Sequence, residues 1–211
     1  MLKITEIFYS LQGETRFVGL PTVFIRLTGC PLRCGYCDTA YAFSGGKNYE
    51  ISEILDNVKS YNPRYVTVTG GEPLAQRDCI PLLKTLCDEG YTVSLETSGA
   101  LDVSSVDDRV VKILDIKTPG SLEVKKNKFE NFKFITARDQ IKFVICDRTD
   151  YEWTKEIIQK YNLTNKCEIL LSPSYQVLSL ANLADWILQD RLPVRFQMQM
   201  HKAIWGDVSG K

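Results

Sequence analysis

Apolar positions along this chain fall into two alternating kinds of run. Short β-rich runs read as strands: Val23 to Thr28, Tyr65 to Thr69, Tyr91 to Glu96, Val110 to Ile116, Ile141 to Cys146, Glu168 to Leu171 and Val194 to Met200. Between several of them apolar residues recur at helical spacing. Ile51 to Ser60 is one such stretch, stopped by Asn62-Pro63. Residues 75–89, with Ile80, Leu82, Leu83 and Leu86, form another, closed by Gly90, and two more lie near 149–161 and 179–190. Residues 3–9 alternate into a further short strand, followed by the polar loop Ser10-Leu11-Gln12-Gly13-Glu14-Thr15. Strands alternating with helices predict an α/β protein with a parallel sheet and right-handed crossovers. A complete eight-fold barrel takes about 250 residues. This chain has 211, and segments 97–109 and 117–138 carry no convincing amphipathic helix. The pattern therefore predicts a partial, open TIM-like barrel of about six parallel strands with reduced helices, one domain over 1–211.

The residues that break the pattern share one place. Cys30, Gly70-Gly71-Glu72, Glu96-Thr97-Ser98, Asp115-Ile116-Lys117 and His201 all lie at or just after the C-terminal ends of strands. In parallel α/β folds that edge carries the active site. Five such coincidences favour an enzyme over a binding module. Arg26 is unexpected inside a β-rich run. On an outward face it needs no explanation; on an inward face it needs an anionic partner, because an unpaired buried charge is costly.

The densest chemistry is Gly29-Cys30-Pro31-Leu32-Arg33-Cys34-Gly35-Tyr36-Cys37-Asp38. Its spacing leaves two readings open. Three thiolates can hold three irons of a 4Fe–4S cluster and leave the fourth iron open to a small molecule. Alternatively, the trio completes a zinc site with a distant fourth ligand such as Cys79 or Cys146.

Composition narrows the setting. The chain is 44% hydrophobic, enough for a sizeable core, and its formal net charge is zero, so no long-range field draws it to nucleic acid or an anionic membrane. No apolar run reaches the ~18 residues of a membrane span. The start, Met1 to Glu6, does not read as a signal peptide. A cytoplasmic, reducing location is expected, where cysteines stay thiols. Cys79, Cys87, Cys146 and Cys167 read as buried thiols, and Lys125-Lys126-Asn127-Lys128 as a solvated loop.

Cys30-x3-Cys34-x2-Cys37, with Tyr36 before the last cysteine, resembles the signature of the radical S-adenosylmethionine superfamily. Gly70-Gly71-Glu72-Pro73 is similar to that superfamily's motif for the methionine amino group. More narrowly, the chain resembles the 7-carboxy-7-deazaguanine synthase family. That likeness rests on Ser10-Leu11-Gln12-Gly13-Glu14, Phe24 to Pro31, Cys37-Asp38-Thr39, Leu95 to Gly99, Asp115 to Ser121 and Gln199-Met200-His201-Lys202, and covers nearly the whole chain.

The resemblance implies a ring contraction of 6-carboxy-5,6,7,8-tetrahydropterin to 7-carboxy-7-deazaguanine and ammonia, in queuosine and 7-deazapurine biosynthesis. It implies a 4Fe–4S cluster on Cys30, Cys34 and Cys37, S-adenosylmethionine, and Mg2+ on Thr39. Tyr36, Cys37, Asp38, Gly71, Glu72, Ser98, Asp115, Ile116 and Lys117 are implied at S-adenosylmethionine, with the Glu72 carboxylate accepting from its ammonium. Leu11, Gln12, Gly13, Glu14, Arg26, Thr69 and His201 are implied at the pterin, with Arg26 forking onto its carboxylate. A flavodoxin- or ferredoxin-type electron donor and a homodimer are also implied. The tail from Ala203 to Lys211 is longer than in some relatives, where the terminal carboxylate reaches substrate. The insertion from Ala40 to Asn48 has no conformation legible in its sequence.

Overall fold

The fold is a computed structural model, which describes residues 1–208 and Gly210; the end of the tail, Ser209 and Lys211, lies outside the described residues. One nine-stranded sheet organises it, built from β1 (Leu2–Leu11), β2 (Pro21–Leu27), β3 (Lys47–Tyr49), β4 (Tyr65–Gly70), β5 (Thr92–Thr97), β6 (Val111–Ile116), β7 (Gln140–Ile145), β8 (Glu168–Pro173) and β9 (Arg195–Phe196). The spatial order is β3-β1-β2-β4-β5-β6-β7-β8-β9. From β2 to β9 every pairing is parallel, whereas β1 runs antiparallel to both β2 and β3. The two ends of this order do not pair with each other, so the barrel is open.

The period of two along a strand explains which face is which. Val23, Ile25 and Leu27, then Val66 and Val68, Val93 and Leu95, Leu114 and Ile116, Ile141, Phe143 and Ile145, and Ile169 and Leu171 form one apolar face. Helices cover it: α1 (Ile51–Ser60), α2 (Cys79–Asp88), α3 (Arg148–Tyr161) and α4 (Leu180–Gln189). They contribute Ile54, Val58, Leu82, Leu83, Leu86, Tyr151, Ile158 and Leu183 to the same core. The α1 start is fixed by a capping box between Glu50 and Glu53, and Asp147 caps α3 by accepting from the Asp150 amide at 2.9 Å.

Two segments follow the sequence pattern in lacking regular helix. Residues 97–109 form loops, and 117–138 hold only short 3-10 turns. Buried side chains take over the work of backbone ladders there. Asn131, fully enclosed, donates to the carbonyls of Gly99 at 3.0 Å and Leu101 at 2.8 Å and accepts from the Val103 amide. Asp150 ties the post-β6 turn to α3, accepting from Thr118 Oγ1 at 3.0 Å and the Gly120 amide at 2.7 Å. Asn127 clasps the Lys117 backbone through its amide and carbonyl, both at 2.8 Å.

The last element departs from the strand expected over Val194 to Met200. Only Arg195 and Phe196 pair with β8, and Met200–Trp205 is a short helix, α5. The Gln197 amide still donates to the Leu171 carbonyl at 2.9 Å, and beyond it the chain turns away from β8. The Gln197 side chain binds the Thr15 backbone, and the Met200 amide donates to the Gly13 carbonyl at 2.9 Å. His201 thus sits in the first turn of α5 rather than at a strand end. In the insertion, Ala40–Phe43 form a 3-10 turn and Lys47–Tyr49 become β3 on the sheet edge. Cys79 and Cys167 are buried as expected, whereas Cys87 and Cys146 are only partly so.

Candidate active site

The sheet face turned away from the helices is polar, because the alternate positions carry Arg26, Thr67, Thr69, Ser94, Glu96, Asp115, Lys142 and Ser172. At the C-terminal ends of the strands this face opens into a cavity of about 460 Å³. The loops after β1, β2, β4, β5 and β6 and the α5 segment wall it. Every candidate from the sequence lines it except Glu72 and Ile116.

Those two lie behind the cavity wall. Ile116 has core parity on β6 and packs among apolar side chains with no exposure. Glu72 is equally enclosed, and its carboxylate is already saturated. It accepts from Thr97 Oγ1 at 2.9 Å, the Ser98 amide at 2.7 Å, Ser98 Oγ at 2.5 Å and the Leu74 amide at 3.0 Å. It therefore clamps the end of β4 to the end of β5.

The two glycines before it serve close approach. A Cβ on Gly71 would lie 2.3 Å from the Gly29 carbonyl oxygen and 2.7 Å from Cys30 Cβ. The Glu72 amide donates to that same carbonyl at 2.8 Å, so the β4 turn pins the start of the cysteine loop. The other end of the loop is held by the Gly35 amide on the Ser121 carbonyl at 3.0 Å.

Cys30, Cys34 and Cys37 are free, partly exposed thiols that open on the cavity. Burial raises the Cys30 and Cys34 thiols, and Lys117 opposes this. Among the described residues no three His, Cys, Asp or Glu side chains converge as one metal ion requires. A zinc ion needs such convergence, whereas a cuboidal cluster spreads its thiolates over separate irons. The two distant cysteines of the zinc reading do not line the cavity, and burial pushes them up to about 12 for Cys79 and about 11 for Cys146. The donor set fits the cluster and not the ion.

Beside the cysteines, Lys117 pairs with Asp115 at 3.1 Å. Burial lowers the Lys117 ammonium, but Asp115 and the thiols outweigh it and the net shift is upward. The Tyr36 hydroxyl is buried with no hydrogen-bond partner, and burial raises its pKa. An orphaned hydroxyl on the wall of a cavity marks a missing polar ligand.

The opposite wall carries a charge network. Glu14 and Lys142 form a short ion pair with both side chains nearly enclosed. Burial alone raises Glu14 and lowers Lys142; each partner outweighs that for the other, so Glu14 is held below and Lys142 above its ordinary value. Glu96 is raised by burial and by the Glu14 charge. It accepts from Thr69 Oγ1 at 3.0 Å and from Gln12 Nε2 at 3.2 Å. Arg26 faces inward, and its partner is Glu6 on the adjoining strand, 2.7 Å from Nε. Phe8 and Tyr41 flank the guanidinium.

The α5 segment closes the remaining side. His201 stands against Gly13, where an added Cβ would fall 1.9 Å from Nδ1. Burial lowers the His201 pKa below 6.5 despite the nearby Glu14. Gln199 donates to Glu14 at 2.9 Å and Asp38 at 3.3 Å, and Lys202 reaches Asp38 at 2.8 Å. Thr39 Oγ1 donates to Asp38 Oδ1 at 2.9 Å. Sequence reasoning gave no role to Glu96, Lys142, Gln199 or Tyr175, which also line this cavity. Lys142 carried the same signal as Arg26, a cation inside an apolar strand.

An open parallel barrel with three cysteines on the loop after its first parallel strand defines a class, the radical S-adenosylmethionine enzymes, and that superfamily's model matches residues 24–165. The chain is 45% identical over 207 residues to the 7-carboxy-7-deazaguanine synthase of Chlorobaculum tepidum, covering 97% of this chain and 94% of that one. It is 41% identical to the synthase of Koribacter versatilis, with 97% of each chain covered. The crystal structure of QueE from Escherichia coli superposes with a TM-score of 0.75 at 25% identity, over 95% of this chain and 94% of that one. The chain belongs to the 7-carboxy-7-deazaguanine synthase family of radical S-adenosylmethionine enzymes.

Proposed function

We propose that this chain converts 6-carboxy-5,6,7,8-tetrahydropterin to 7-carboxy-7-deazaguanine with release of ammonia. The observation that carries the reading is one cavity with two unlike walls: thiols, Tyr36 and Lys117 on one side, and Gln12, Gly13, Glu14, Arg26 and His201 on the other. Cys30, Cys34 and Cys37 would hold the cluster, and Tyr36, Asp38, Gly71, Ser98 and Asp115 with Lys117 would line S-adenosylmethionine. Bound together, the reduced cluster and S-adenosylmethionine supply a hydrogen-atom abstraction, the hard chemistry of the reaction.

The chain's own residues bind and orient. Lys117, kept as an ammonium, suits the carboxylate of the methionine moiety. Arg26 meets the pterin carboxylate with the terminal nitrogens of its fork, since Glu6 takes Nε. Glu14, kept ionised by Lys142, accepts from the guanidine-like edge of the pterin. Leu11 and Gly13 offer backbone groups, Thr69 a hydroxyl, and Gln12 an amide oriented by Thr67 and Glu96. His201, with its lowered pKa, is neutral near pH 7 and can donate or accept at the ring. Thr39 beside Asp38 offers two oxygens to a magnesium ion, whose remaining positions substrate and water would fill. Turnover in a single radical enzyme domain as part of a cytoplasmic homodimer, primed by a flavodoxin- or ferredoxin-type donor, completes the reading.

The test is anaerobic reconstitution with iron and sulfide, followed by dithionite, S-adenosylmethionine and carboxytetrahydropterin, with products followed by mass. Carboxydeazaguanine is the expected product. Slow 5′-deoxyadenosine with the pterin intact would reject the substrate.

A further inference from the structure

The insertion that follows the cysteine loop sends one side chain back toward β1. Tyr41, on the 3-10 turn Ala40–Phe43, donates its hydroxyl to Glu6 Oε1 at 2.9 Å. The same oxygen accepts from Arg26 Nε at 2.7 Å. Arg26 lines the cavity, whereas Glu6 and Tyr41 stand behind it. The phenol is exposed, so core packing does not account for its place.

The turn that carries Tyr41 is fixed from the cysteine loop. Ala42 is fully buried; its amide donates to the Thr39 carbonyl at 2.9 Å, and its own carbonyl accepts from the Gly29 amide at 2.8 Å. Gly46, at φ 70°, then lets the insertion close against β1. A Cβ there would lie 2.8 Å from the Ile4 carbonyl oxygen, two residues before Glu6.

The Arg26 pair itself has an incomplete geometry. A carboxylate and a guanidinium favour two parallel hydrogen bonds. Glu6 makes one, from a single oxygen to Nε. The terminal nitrogens of Arg26 meet no acceptor among the described residues. The rings of Phe8 and Tyr41 lie 5.7 and 5.8 Å from the guanidinium carbon. A Glu6 free to swing would take those terminal nitrogens and compete with any carboxylate arriving from the cavity. The Tyr41 hydroxyl pins the competing oxygen at the Nε edge.

We propose that Tyr41 is a positioning residue that holds Glu6 on Arg26 Nε and keeps the terminal nitrogens open for the carboxylate of the ligand. Through that contact Tyr41 and Glu6 set the preference for a carboxylated over an uncarboxylated pterin. The proposal rests on the reading of Arg26 given above and names what makes that arginine selective. Because the Tyr41 turn hangs from Gly29 and Thr39, the loop that carries the thiols also sets the anion site.

The experiment uses the reconstituted full chain, held anaerobic with S-adenosylmethionine and without reductant. Dissociation constants are measured for carboxytetrahydropterin and for tetrahydropterin, which lacks the carboxyl. The variants are Tyr41→Phe, Glu6→Gln, the two combined, and Arg26→Ala. Tyr41→Phe keeps the ring and removes the hydroxyl. It is expected to weaken carboxytetrahydropterin about tenfold, as for loss of one hydrogen bond to a charged group, and to leave tetrahydropterin unchanged. Glu6→Gln should weaken the same ligand. The combined variant should bind it no worse than Glu6→Gln alone, because Tyr41 acts through that carboxylate. Equal loss for both pterins, additive losses, or an unchanged constant in Tyr41→Phe would overturn the proposal. Arg26→Ala separates the two readings. If it erases the preference and Tyr41→Phe does not, the positioning role alone falls. If Arg26→Ala keeps the preference, the placement of Arg26 at the carboxylate falls with it.

Discussion

Replacing Lys142 by methionine keeps most of the length of the side chain and removes its charge. In the native protein Lys142 and Glu14 are 13% and 12% exposed, and Glu96 lies in the same network. Without the ammonium, Glu14 is left buried beside a second carboxylate. Breaking a buried pair this way costs about 3–5 kcal/mol, and the proximity of Glu96 places the loss toward the upper end. At roughly 2–4 °C per kcal/mol for a chain of this size, the melting temperature falls by about 6–20 °C.

The pH dependence fixes the cause. In the native protein the Glu14 pKa is depressed below its unfolded value of about 4.3, so its contribution is present above that pH and is lost as pH falls through the folded pKa. In the variant burial, the largest influence on Glu14, is opposed only by the Gln199 hydrogen bond and His201, and it raises the folded pKa above the unfolded one. The penalty is then full at neutral pH and fades as pH falls toward about 4.3. Urea unfolding at pH 7.5 and pH 5 should therefore show a gap between variant and native protein that narrows on acidification. The double variant Glu14→Gln/Lys142→Met should regain most of the loss. A loss under about 1 kcal/mol at pH 7.5, or a gap that does not narrow, would refute the reasoning.

The single histidine gives an unambiguous NMR signal. His201 should titrate below 6.5 in the native chain, and Gly13→Ala, by pushing α5 off the cavity, should move its midpoint back up and abolish product formation. A native midpoint at or above 6.5 would contradict its burial. Asn131→Ala removes three hydrogen bonds and should cost about 1.5–4.5 kcal/mol in urea unfolding, at 0.5–1.5 kcal/mol for each bond. Arg26→Ala should weaken pterin binding by roughly 2–5 kcal/mol in substrate titration; an unchanged dissociation constant would leave Arg26 only its pairing with Glu6.

What was legible in the sequence was local. The cysteine loop and the Gly-Gly-Glu turn each depend on neighbours within a few residues, and the strand–helix alternation depends on short periodicities; which face Arg26 takes was left open. The contacts that complete the cavity join residues far apart in the chain: Glu14 with Lys142, Gln12 with Glu96, Asp38 with Lys202. No local pattern encodes those. Val194 to Met200 reads as a strand by composition, yet Gln197 and Met200 turn to Thr15 and Gly13 because those partners lie across the open side of the barrel. The motif marks Glu72, but its position in the sequence does not reveal that Thr97 and Ser98, on the next strand, donate to its carboxylate.

An open barrel keeps two bare strand edges, and this one treats them unequally. At one end β9 is two residues long, too short to template another chain. At the other, β3 pairs with only Leu2 to Ile4 of the ten-residue β1, a sequence rich in β-formers. Beyond that point the edge is guarded by a bulge between Ile4 and Glu6 and by the Glu6 charge turned toward Arg26. The carboxylate that steadies Arg26 in the cavity is thus also a gatekeeper against strand-to-strand aggregation. Neutralising Glu6 would tax colloidal stability at the same stroke as ligand binding.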